Sequence, residues 1–78
     1  MSSNFKVIER PVRGNIIITI DTQINDLDAL NVTVAENIQA RLYGKIRRSL
    51  TIKKGASVVL HGTLNGAVKN EGGEFRLF

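Results

Sequence analysis

Few residues in this chain have the type and spacing that chemistry requires. His61 is its single histidine, so one copy cannot assemble a histidine metal cluster. Ser57 lies four residues before it, on the same face of an extended segment, and four strand steps span about 13 Å, too far for a nucleophile and its base. In "DTQINDLDAL", Asp26 and Asp28 stand at calcium-loop spacing, yet the glycine and closing glutamate of an EF-hand are missing. These carboxylates read as cap and surface groups. Gly62 and Gly66 form G-x-x-x-G outside any apolar helix, where the motif has no membrane meaning. No P-loop or dinucleotide fingerprint occurs. The expectation is a protein that is not an enzyme, with no catalytic, cofactor or metal residues.

Charge is more informative. Lys and Arg number 11 against 7 Asp and Glu, a net charge of +4. From Asn37 to Asn70 there is no acid, while Arg41, Lys45, Arg47, Arg48, Lys53, Lys54 and Lys69 are all cations. The preceding part is acidic on balance, through Glu9, Asp21, Asp26, Asp28 and Glu36. Such polarity suits an anionic partner, or attraction between unlike parts of two copies. Arg41, Lys45, Arg47, Arg48, Lys53 and Lys54 are the candidate anion-binding residues. An acidic protein or anionic lipid headgroups could be held there, as by a small inhibitor or immunity-type protein. Nucleic acid fits less well, because Tyr43 is the only aromatic near these cations and single-strand binders stack bases on several.

The elements that must carry these side chains are short and extended. Val32-Thr-Val34, Arg41-Leu42, Leu50-Thr-Ile52 and Val58-Val-Leu60 alternate like strands and are separated by Gly, Asn and Lys. Only Asp21 to Leu30, with apolar Ile24, Leu27 and Leu30, is compatible with a short helix or an ordered loop. A self-comparison shifted by 18 aligns Val32 with Leu50, Val34 with Ile52, Ile38 with Ala56, and Ala40 with Val58. It also aligns Leu42 with Leu60, Tyr43 with His61, Gly44 with Gly62, and Ile46 with Leu64. A further copy puts Val68 under Leu50 and Phe75 and Leu77 under Val58 and Leu60. An earlier imperfect copy, "VRGNIIITI", matches Gly14 to Gly44 and sets Ile18 and Ile20 where Leu50 and Ile52 stand, leaving residues near 21–30 as an insertion.

This period, with glycines at sharp corners, predicts an all-β chain: a short β-solenoid of about four coils, rising about 4.8 Å per coil. An antiparallel barrel or sandwich of hairpins is the competing arrangement. A core of Val32, Val34, Leu42, Leu50, Ile52, Val58 and Leu60 follows, with His61 outward beside Tyr43 of the preceding coil. Residues 1–78 form one domain, and a core of this size is marginal unless shared, so a homo-oligomer is expected. With no cysteine, no signal-like h-region and no apolar run near the roughly 20 residues of a membrane span, a cytoplasmic protein is expected.

The stretch "LTIKKGASVVLHGTLNGAVKNEGG", with its Gly62-Thr-Leu64-Asn-Gly66 element, resembles the repeats of bactofilins, polymer-forming bacterial cytoskeletal proteins, over roughly residues 31–78. The resemblance implies a β-solenoid and a structural, self-assembling role as a dimer or filament. The chain reads Phe75-Arg-Leu77-Phe78 at its end, and Phe75, Leu77 and Phe78 are the candidate assembly interface, since an uncapped end coil exposes strand edges.

Overall fold

The structure is a computed structural model that describes residues 5–78. Among these residues seven strands, with no helix, form one parallel sheet wound into a solenoid of about 4 turns. They are β1 (Lys6–Ile8), β2 (Val12–Ile18), β3 (Thr22–Val34), β4 (Gln39–Ile52), β5 (Ser57–Leu64), β6 (Ala67–Asn70) and β7 (Glu74–Leu77). β3 lies on β1 and β2, β4 on β3, and β5 and β6 on β4, with β7 last on β5. Every pairing is parallel, which excludes hairpins.

The eighteen-residue register holds. β4 pairs β5 from Gln39 with Ser57 through Tyr43 with His61 and Gly44 with Gly62 to Ile46 with Leu64. Leu50 sits on Val68, and Val58 and Leu60 carry Phe75 and Leu77. The inward residues of the third coil are Ala40, Leu42, Ile46, Leu50, Ile52 and Ala56, all at most 1% exposed. Strict alternation is interrupted after Leu42, after Ile46 and after Ile52, where three residues rather than one separate inward neighbours. Each interruption is a corner, so the coil has three sides. All seven residues expected in the core are completely buried.

Two corners explain most of the glycines. At the first, Gly44 and Gly62 stack with φ of 143° and 146°, and a Cβ on either would collide with the backbone carbonyl one coil below, that of Leu27 or of Gly44. Only glycine fits that close approach. At the third corner Asn37, Gly55 and Gly72 take positive φ on successive coils, 61°, 77° and 124°, and asparagine is among the few other residues that accept it.

Two expectations need correction. Asp21 to Leu30 is neither a helix nor an insertion, because Thr22–Val34 is one continuous strand. The segment is irregular in another way: relative to β4 it carries one extra residue between Ile24 and Leu27 and one fewer between Ala29 and Asn31, both at corners. Such bulges displace inward residues from a spacing of two to three, and that spacing is what imitates a helix. The second correction concerns the first coil, which is shorter. Val12 pairs with Leu27 and Ile16 with Val32, so Ile16 and Ile18, not Ile18 and Ile20, continue the columns of Leu50 and Ile52. Gly14 aligns with Ala29, and Gly44 aligns with Leu27 and Val12. A register shift between Gly14 and Ile16 takes up the difference.

Polar groups on the coils are matched between rungs. Asn31 donates its amide to Asn15 Oδ1 at 2.9 Å and accepts at Oδ1 from the Ser49 hydroxyl at 2.6 Å. The buried Thr22 hydroxyl donates to the Ile20 carbonyl at 2.7 Å. No buried side-chain nitrogen or oxygen among the described residues lacks a partner.

Candidate functional site

The residues singled out in the sequence lie at the two ends of the stack and at its charged corners. At the C-terminal end the columns finish on Leu64, Val68, Phe75 and Leu77. Phe75 and Leu64 pack partly against the core, while Val68 is 38% and Leu77 51% exposed. A third column stops differently. Asn70 occupies the position of Ile52 and Val34, and its carboxamide closes the turn by accepting from the Gly72 and Gly73 N–H groups at 3.0 and 2.7 Å. Among the described residues no strand pairs with the outer edges of β6 and β7.

Phe78 continues the ladder. Its N–H donates to the Leu60 carbonyl at 2.9 Å, and its own carbonyl accepts from the Gly62 N–H at 3.2 Å. In that register it lies on His61. The imidazole stacks on Tyr43 with centroids 4.6 Å apart and on Phe78 at 5.1 Å, nearly parallel to both rings. Three rings thus form a column on the outside of the coils, and the Phe78 ring, 67% exposed as a residue, is its last member. His61 stands beside Tyr43 as expected; the third ring was not anticipated, although the spacing of 17 that sets Leu77 under Leu60 also sets Phe78 under His61.

At the N-terminal end the first coil surrounds a cavity of about 280 Å³, lined by Lys6, Ile8, Val12, Ile16, Ile18 and Ile24, among others. The sequence reading missed this mouth. Its signal was the run Ile16-Ile17-Ile18 followed by Ile20, which is apolar on both faces where other coils alternate. Phe5 packs on the flank, where the Arg41 guanidinium lies 4.9 Å from its ring centroid.

The six candidate anion-binding residues are not gathered on one face. Arg41 belongs to the first side, in register with Gln23 and Val59. Lys45 and Arg47 lie near Asp28, and Arg48 follows at the second corner. Lys53 and Lys54 belong to the third corner, where Lys53 pairs with Glu71 at 3.4 Å. Asp28 accepts from Arg13 at 3.0 Å and from Arg47 Nε at 2.6 Å, joining the first coil to the third. The hydrogen bond from Arg47 holds its carboxyl below the ordinary value, partial burial opposes, and the charges of Arg47, Arg13 and Lys45 reinforce the lowering. The Glu71 carboxyl is lowered chiefly by its bond from Lys53, with Lys69 also contributing. The acid-rich and base-rich parts of the chain therefore meet partly within one copy.

Among the described residues no three His, Cys, Asp or Glu side chains are grouped to hold a metal ion, and no helix is long and apolar enough to cross a membrane. Comparison of the chain with models of protein families, with curated proteins and with solved structures found no match.

Proposed function

We propose that this protein is a non-enzymatic structural module of the cytoplasm that associates with copies of itself through the ends of its solenoid, in the manner its bactofilin-like repeats suggest. The observation that supports this reading is the exposed apolar end. Val68 and Leu77 prolong buried columns yet are themselves exposed, and among the described residues no strand pairs with the outer edges of β6 and β7. An open parallel edge carrying apolar side chains is a template for another strand. Phe75, Leu77 and Phe78 are the residues assigned to the contact. The division of the cations over three parts of the perimeter, with Arg47 and Lys53 already paired, weighs against a single anion-binding patch.

Light scattering after size exclusion, across concentration and salt, tests the reading. Assemblies that persist in high salt and are lost in Leu77→Arg are the expected result. A Leu77→Arg protein that stays folded and keeps the same assembly state would exclude the C-terminal interface.

A further inference from the structure

Resting on that self-association, we infer that the contact is head-to-tail: the mouth of the first coil of one copy seats on the last coil of the next, with β1 over β7 and β2 over β6. Three properties of the ends select this partner and this polarity.

The first is register. β1 precedes Thr22 to Ile24 in the stack, and the same column runs through Ala40 to Leu42 and Val58 to Leu60 to Phe75 to Leu77. Placing a second copy one rung beyond the first therefore sets Ile8 on Leu77 and Val7 on Arg76. By the same continuation Ile16 falls on Val68 and Ile17 on Lys69. Strand direction and the three corners coincide, so the interface repeats the parallel ladder already present inside the molecule. A contact between like ends would instead require antiparallel pairing.

The second is shape. The N-terminal end is concave, and about 280 Å³ is ample for an apolar group, since an engineered cavity of about 150 Å³ admits benzene. The C-terminal end leaves Leu77 and Val68 exposed, with no cavity of that kind around them. Apolar side chains set against a hollow end fill space; two hollow ends would leave a void whose walls lose their packing contacts.

The third is charge. Lys6 and Arg10 stand at the N-terminal end with Glu9 as the only acid among residues 5–18, Arg13 being paired with Asp28, whereas the last coil carries Glu71 and Glu74 with Lys69 and Arg76. Two N-terminal ends would repel. In the head-to-tail register Lys6, which occupies an inward position, falls on Phe75 beside Glu74, an aromatic face and a carboxylate that both suit an ammonium group. Because unlike surfaces meet, the contact does not close on itself at two copies and propagates into an open chain.

The chain has no cysteine, so paired cysteines report polarity directly. Adjacent strands about 4.8 Å apart bring facing residues within disulfide reach. In Val7→Cys with Arg76→Cys, mild oxidation is expected to yield a covalent ladder at multiples of 8.6 kDa, while either single variant stays uncrosslinked. Ile17→Cys with Lys69→Cys tests the same register on another side and serves if the first pair perturbs folding. Dimers formed by a single variant alone would show like ends in contact and overturn the inference. So would the absence of crosslinks in both pairs when light scattering finds the native chain assembled, and self-association would then survive. A native chain monomeric at every concentration would remove both.

Discussion

The imidazole of His61 lies on the Tyr43 ring, centroids 4.6 Å apart and planes within 6°, because eighteen residues of chain return the second side chain to the same point on the coil. Phe78 repeats the relationship one coil on, at 5.1 Å. The column ties the last residue to the body of the stack. His61→Ala removes the middle ring and should lower stability by about 1 kcal/mol, from the energy of aromatic pairs. His61→Phe should retain most of it. Chemical denaturation of the two variants is the check.

At the first corner, glycine is required by the neighbouring backbone rather than by preference. Gly62→Ala would drive a methyl group into the Gly44 carbonyl and should destabilise by more than about 2 kcal/mol or prevent folding. Gly14 also has positive φ, 85°, but nothing lies within 4 Å of a Cβ there. Gly14→Ala should therefore cost only about 1 kcal/mol, the backbone strain alone.

Leu42 and Leu50 are wholly buried in the third coil, which packs against a coil on either side. Truncation to alanine should cost about 2 to 5 kcal/mol at either site, since a cavity is left between rigid rungs. Leu77→Ala, at the open end, should cost well under half of that in a monomer. Comparing the denaturation midpoints of these variants separates core from end.

Acid should loosen the stack at defined points. The Asp28 and Glu71 carboxyls are lowered from ordinary values of 3.8 and 4.5 by their partners Arg47 and Lys53. Folding therefore gains from these pairs above the ordinary values and loses that gain as pH falls through the lowered ones. Asp28→Asn should show a shallower loss of stability below about pH 4. The same variant frees Arg13 and Arg47, so it should also elute from a polyanion column at higher salt.

Much of this was legible because a repeat fixes several things together. Once Leu42 falls on Leu60 and Gly44 on Gly62, the columns, the corners and the outward place of His61 follow. Two regions were not legible. Bulges at the corners of β3 gave Ile24 and Leu27 a helical spacing, and only the pairing on both sides shows it to be a strand. The first coil, with offsets of 15 and 16 rather than 18, slid by two residues in the alignment, which preserved the alternation while misplacing Ile16. Ion pairs such as Asp28 with Arg47 depend on rotamers of long side chains, which a repeat does not encode.

The unbroken register between β4 and β5, from Gln39 with Ser57 to Ile46 with Leu64, makes the coil an interchangeable unit of length. Duplicating residues 39–56 in tandem should add one storey and lengthen the rod by about 4.8 Å, with the cross-section and both ends unchanged. A gain of one residue within a side would turn the side chains beyond it inside out, whereas at a corner a bulge can take it up, as between Ile24 and Leu27. Growth by whole storeys therefore leaves every column continuous, so length can be altered in this fold without redesigning its core or its ends.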